Sequence, residues 1–255
     1  MSVYTIVFSP TGGTKKVGDC LSQVLGPEIQ EIDLTSPAAE FSSFLLGSED
    51  ICVVSVPSFG GRVPAPAAAR LAELKANGAK AILVVVYGNR AYEDTLLELK
   101  DTLIQAGFHC VAAVAAVAEH SIMRQFASGR PNQKDLEELE QFAHQIKAAI
   151  ETGTVPDSVH VPGNTPYREY NGVPLKPKAG KNCTGCGLCA EKCPAGAIPS
   201  DNPSQTDAKA CISCMRCVSI CPAQARTLNR LLLAGASQKL KKVCSEPKKN
   251  ELFLS

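Results

Sequence analysis

Short apolar or β-branched runs recur through the first 150 residues, at Val3–Phe8, Ile29–Leu34, Ile51–Val56, Ala81–Tyr87 and Cys110–Ala118. Runs of this length, apolar at nearly every position, suit strands buried on both faces. Most of the gaps between them show a 3.6-residue period instead. Val17, Cys20, Leu21 and Val24 form one stripe, Leu96, Leu99 and Leu103 a second, and Leu136, Leu139, Ala143, Ile146 and Ile150 a third. Pro66 and Pro131 sit where a first helical turn tolerates proline. Five such strands alternating with helices predict an α/β domain over 1–152, a doubly wound, five-stranded parallel sheet. Residues 153–175 are rich in Pro and Gly without sustained periodicity and are expected to form a linker that packs on either neighbour. Residues 176–232 form a separate cysteine module. The lysine-rich segment 233–255 is expected to be a solvated tail.

Composition adds limits. Apolar residues make up 45% and charged residues 20% of the chain, with a formal net charge of +1, ordinary for a soluble globular protein. That balance gives no reason to expect nucleic acid or an acidic membrane surface as a partner. The N-terminus lacks the basic start and apolar core of a signal peptide. The longest uninterrupted apolar stretch, Val111 to Ala118, is too short to span a bilayer. A cytoplasmic protein is expected, and oligomeric state is left open. The 12 cysteines are more informative, because eight of them crowd between Cys183 and Cys221. Such clustering in an intracellular chain favours metal over disulfides.

CTGCGLCAEKCPAGAI (183–198) and CISCMRCVSICPAQAR (211–226) align with all four cysteines and the following proline in register. Each copy is C-x2-C-x2-C-x3-C-P, the run of bacterial two-cluster ferredoxins, in which the fourth cysteine ligates the other cluster. One [4Fe-4S] cluster is therefore assigned to Cys183, Cys186, Cys189 and Cys221, and the second to Cys211, Cys214, Cys217 and Cys193. Structural zinc also favours C-x2-C pairs, but it has no use for a doubled triplet followed by C-P. The module resembles bacterial dicluster ferredoxins.

The loop after the first strand, FSPTGGT (Phe8–Thr14), is neither a Walker loop nor G-x-G-x-x-G. It offers the hydroxyls of Ser9, Thr11 and Thr14, with Gly12 and Gly13 letting backbone N–H groups close on an anion at a helix N-terminus. S-x-T-G-x-T in this position resembles the phosphate loop of flavodoxins, and the element order fits that fold. The resemblance implies FMN at the switch point beside strands one and three. It also implies that PSFGGRVP (57–64) and YGNRAYED (87–94) hold the flavin ring. Pro57, Ser58, Phe59, Gly60 and Gly61 would come from the first of these loops. Tyr87, Gly88, Asn89, Arg90 and Tyr92 would come from the second. Phe59, Tyr87 and Tyr92 are the stacking candidates in a chain without Trp. Gly60-Gly61 could let a peptide flip toward the flavin N5, and Asn89 or Arg90 could bond the pyrimidine edge. Lys15 and Lys16 add positive charge that flavodoxins usually do without. Taken whole, with the stretches GGRVP and VVVYGNRAYEDTLLELK, residues 1–230 resemble a group of flavodoxin–ferredoxin fusion proteins of anaerobic bacteria and archaea.

The implied function is intracellular electron transfer between two [4Fe-4S] clusters and FMN, with redox proteins as donor and acceptor. Two alternatives stay open. One is a flavin-dependent reductase of a small organic acceptor or quinone that uses the clusters as inlet. The other is a ferredoxin with a flavin-free docking domain. No Ser–His–Asp order or paired carboxylates stand out, so no catalytic side chain is expected. Cys20, Cys52 and Cys110 read as core thiols, and Cys244 as a lone thiol in the tail. Glu119-His120, just after the fifth strand, lies at the sheet end where ligands bind.

Overall fold

The near-continuous apolar runs become the middle of one sheet. In the computed structural model, which describes residues 2–255, five parallel strands take the order β2-β1-β3-β4-β5. They are β1 (Val3–Val7), β2 (Ile29–Asp33), β3 (Ile51–Pro57), β4 (Lys80–Tyr87) and β5 (His109–Val117). This is the flavodoxin-like order, whose switch point lies between β1 and β3. α1 (Gly13–Leu25) and α4 (Gln133–Glu151) cover one face, where Val17, Leu21, Leu139 and Ile146 pack on Val53, Val84 and Val114. α2 (Ala65–Ala72) and α3 (Thr95–Gln105) cover the other, where Leu71, Leu96 and Leu99 pack on Val54, Leu83 and Val85. Neighbours along β3 and β4 thus serve opposite cores, as the two-residue side-chain period of a strand requires. α1 lies close on the sheet because Gly18 carries no side chain. A Cβ there would sit 2.7 Å from Ser55 Oγ. α4 starts at a capping box in which Asn132 Oδ1 accepts from Asp135 N and Asp135 Oδ2 accepts from Asn132 N.

The predicted linker is irregular, as expected, but it is fastened to the first domain. Val159 is buried and its N–H bonds Cys110 O at 3.0 Å. Asp94 is 2% exposed, and its carboxylate accepts from Asn164 N, Asn164 Nδ2 and Arg168 N at 2.7–3.0 Å. Burial opposes the ionised form of Asp94, yet these donors hold its pKa below the usual carboxylate range. The cysteine module follows, with β6 (Lys178–Ala179) antiparallel to β7 (Arg226–Thr227) and two single-turn helices, α5 (Leu188–Glu191) and α6 (Arg216–Ser219).

The tail departs from expectation. It is not a solvated end: α7 (Arg230–Cys244) packs on the body of the protein, and β8 (Glu251–Phe253) adds a sixth, antiparallel strand beside β5. Leu233, Ala236 and Leu240, partly buried, and Cys244, buried, form the inward stripe of α7, against Met123, Phe126 and Leu175. Their spacing of three and four is helical, but the intervening lysines mask it. Asn250, 6% exposed, ties the strand down. Its Oδ1 accepts from Val117 N at 2.9 Å, and its Nδ2 donates to Glu138 Oε2 at 2.7 Å. Cys20, Cys52 and Cys110 are buried, as expected of core thiols, and burial pushes Cys20 up to about 11 and Cys110 up to about 12. Cys244 is buried rather than loose, and burial raises its thiol too. Among the described residues no helix is long and apolar enough to cross a membrane.

Asn250→Ala would strand the buried Val117 N–H. A loss of about 1–3 kcal/mol is expected for a buried donor left unpaired, read as a lower urea midpoint with unchanged slope.

Candidate functional site

The two cysteine runs fold as near-copies of each other. Residues in the left-handed backbone region fall at matching places: Gly185, Gly187 and Gly196 in the first run, and Ser213, Met215 and Gln224 in the second. Each turns backbone N–H groups back toward sulfur. Ala197 N bonds Cys193 Sγ and Ala225 N bonds Cys221 Sγ, both at 3.3 Å. The buried Arg226 anchors the module, donating from Nε to Cys189 Sγ at 3.3 Å and from its other nitrogens to Thr206 Oγ1 and Gln205 O.

The cysteines line two separate small cavities. Cys183, Cys186, Cys189 and Cys221 surround one, and Cys193, Cys211, Cys214 and Cys217 surround the other. These are the crossed sets expected from the spacing. Four thiol groups around one space, met by N–H donors at sulfur, fit a [4Fe-4S] cluster as donor set and as electrostatics.

A larger cavity opens at the carboxyl ends of the parallel strands, between the two domains. Of the residues expected to hold FMN, it is lined by Thr11, Gly13 and Thr14 from the first loop, by Pro57, Ser58, Phe59 and Gly60 after β3, and by Tyr87, Gly88 and Arg90 after β4. Ser9 and Gly12 lie just behind, with Thr11, in an adjoining cleft. Ser9 Oγ accepts from Lys15 N at 2.9 Å, which holds the loop closed over the start of α1. Gly12 takes φ +92° at the helix cap, a conformation that glycine adopts without strain. Hydroxyls and free helix N–H groups at one end, with Phe59 and Tyr87 at the other, fit a phosphorylated aromatic cofactor such as FMN.

Three of the expected ring contacts do not line this cavity. Asn89 is 3% exposed and serves the tail instead. Its Nδ2 donates to Cys244 O at 2.7 Å and Glu246 O at 2.9 Å, and its Oδ1 accepts from Lys248 N at 2.9 Å. Tyr92 lies edge-on to Tyr87 with its hydroxyl on Glu251 Oε2 at 2.6 Å, because β8 passes on that side. Burial and Glu251 push the Tyr92 phenol up, and burial pushes Tyr87 up to about 12. Gly61, at φ +85°, underlies a cluster of Glu93 and Arg168, where any side chain would collide. Arg90 reaches the cavity but is paired twice with Glu93, which also binds Arg168. Lys15 and Lys16 are likewise engaged, Lys15 with Asp19 and Glu31, and Lys16 with Pro131 O.

Several wall residues carry no local sequence signal. Tyr170 and Val173 of the linker, Leu240 of α7, and Ile212, Ser213 and Cys214 of the cysteine module form the far side. Tyr170 lies so close over Gly60 that a Cβ there would fall 2.2 Å from its ring. Glu119 and His120, noted from their place after β5, both line the cavity. Glu119 is held below the usual carboxylate range by Arg124, to which it is bonded, and by Gly129 N. His120 Nδ1 accepts from Ile122 N at 3.2 Å and Met123 N at 3.3 Å, so the neutral ring carries its proton on Nε2. Burial holds its pKa below the ordinary value.

Comparison with known proteins bears on the two domains separately. Residues 182–226 match the 4Fe-4S dicluster domain. No curated protein matches the chain. Similar solved structures include a flavodoxin of Streptococcus pneumoniae TIGR4, 23% identical, covering 58% of this chain and 99% of its own, at a TM-score of 0.42. An archaeal flavodoxin is 14% identical over 59% of this chain and 99% of its own, at 0.44. The apo form of an NADH:FMN oxidoreductase is 16% identical over 58% of this chain and 89% of its own, at 0.41. The flavodoxin-like character of the first domain rests on its strand order.

The His120 geometry has a pH signature. With its folded pKa depressed, the unfolded chain takes a proton first as pH falls through about 6.5. Stability carried by the neutral ring is complete above that value and is lost below it, down to the folded pKa. The loss is at most about 1.4 kcal/mol per pH unit. Denaturation midpoints between pH 7.5 and 5 should show this slope, and His120→Asn, which keeps an acceptor without a titration, should flatten it.

Proposed function

We propose that the protein passes electrons between two [4Fe-4S] clusters and one FMN within a single chain, in exchange with separate redox proteins of the cytoplasm. The carrying observation is the shared wall: one cavity is bounded by the phosphate-loop and ring-loop residues on one side and by Ile212, Ser213 and the cluster ligand Cys214 on the other. When bound, the clusters supply one-electron couples and FMN a carrier of one or two electrons. Cys183, Cys186, Cys189 and Cys221 would hold one cluster, and Cys193, Cys211, Cys214 and Cys217 the other. Thr11 and Thr14 hydroxyls with the N–H groups of α1 would hold the phosphate, and Phe59 and Tyr87 would flank the ring. The linker and α7 contribute Tyr170, Val173 and Leu240 to the lining of that space. Joining both modules in one chain replaces a bimolecular encounter with an intramolecular one at high effective concentration.

Anaerobically reconstituted protein is expected to bind one FMN and about eight iron atoms per chain. A sample that takes up iron but no flavin would leave only the docking-domain alternative. Thr14→Val, at a hydroxyl site that is 6% exposed, should weaken FMN about tenfold by fluorescence titration without changing iron content.

A further inference from the structure

Two side-chain donors of the dicluster module are buried next to the first domain without a hydrogen-bond partner. They are Ser213 Oγ and Arg216 Nε, each sealed from solvent. Ser213 lines the interdomain cavity beside Cys214. Arg216 lies between the cavity of Cys193, Cys211, Cys214 and Cys217 and the adjoining cleft, whose other wall includes Ser9, Thr11 and Gly12 of the phosphate loop. Thr11 borders both spaces, so one short segment brings both donors to the two sides of the same loop. Buried donors are almost always satisfied, and an unused one bears its desolvation cost uncompensated.

The charges around the loop make Arg216 the distinctive one. Lys15 is paired with Asp19 and Glu31, and Lys16 is turned to Pro131 O. The two carboxylates that share the cleft with Arg216 are already engaged, Glu31 by Lys15 and Asp33 by the N–H and hydroxyl of Thr35. Arg90 and Arg168 share Glu93. Among the described residues Arg216 forms no side-chain ion pair, whereas Lys15, the first-domain cation lining the same cleft, is held by two carboxylates. A phosphate monoester near neutral pH carries close to two negative charges, and the guanidinium fork matches its oxygens better than an ammonium does.

We propose that Arg216 crosses the domain boundary to complete the flavin site, its guanidinium meeting the phosphate held at Thr11–Thr14. The inference rests on the FMN reading above. It makes the cofactor a bridge between the modules: the phosphate fastens the dicluster module to the flavodoxin-like domain, and the docked module tightens the cofactor.

The test uses the full chain with its clusters loaded and its flavin removed. It is titrated with FMN and with riboflavin, which lacks the phosphate, and flavin fluorescence quenching is read. Arg216→Gln should weaken FMN by about tenfold to a hundredfold and leave riboflavin unchanged, while Arg216→Lys restores part of the loss. If FMN binding is untouched, or both flavins weaken alike, the proposal is wrong while the FMN reading stands. If the unaltered protein binds neither flavin, the FMN reading itself falls and takes the proposal with it. Arg216 adjoins Cys217, so iron is counted in every variant. Should Arg216→Gln lose its clusters, the unaltered protein decides. Raising salt from about 50 to about 500 mM should erode its preference for FMN over riboflavin several-fold through screening, and a preference that does not move overturns the proposal.

Discussion

The arrangement of this molecule hangs on the Asp94 carboxylate. A charge with so little access to water is tolerable only if hydrogen bonds replace its hydration, and the three donors come from Asn164 and Arg168. Satisfying Asp94 therefore fixes where the segment after α4 crosses the carboxyl end of the sheet. Arg168 then meets Glu93, and Tyr170 comes down on Gly60. Beyond these residues the chain enters the dicluster module already aimed at the cavity. The segment works as a positioned wall, although its composition is that of a flexible connection.

The two cysteine runs show how one backbone shape can be reached by different chemistry. Glycine occupies all three left-handed positions of the first run, where the conformation carries no steric penalty. Serine, methionine and glutamine occupy them in the second, at a cost on the order of 1 kcal/mol each. In the second run Ser213 and Met215 are buried while Gln224 is exposed, and Ser213 lines the interdomain cavity. The first run, with exposed Cys186, turns toward solvent, where side chains at those positions would contact nothing.

Much of this was legible in the sequence because it is local. Strand positions followed from uninterrupted apolar runs, and the crossed cysteine sets from spacing alone. The phosphate-loop hydroxyls and the loops after β3 and β4 came from residue type and place. What the sequence did not disclose depends on distant segments meeting. Asn89 looked like a ligand contact because it ends a strand at the binding edge, yet its hydrogen bonds are spent on backbone groups 155 to 159 residues away. Tyr92 is the same case, since Glu251 from the far end of the chain claims its hydroxyl. The tail was read from its lysines, while a four-residue apolar stripe beneath them decides its fate. Tyr170 and Ser213 had no signal at all: nothing near either residue in the chain announces a cavity.

The return of β8 to the sheet has a consequence for biosynthesis. In chain order β8 comes after the dicluster module, so β5 keeps a bare edge while that module is made and folded. Exposed strand edges invite pairing with other chains. With the clusters proposed above, the module would fold around its metal, and iron supply would set how long that edge stays open. Cells short of iron or sulfide would accumulate chains whose larger domain is nearly finished and adhesive, and cluster delivery would act as a folding checkpoint for a domain that binds no iron.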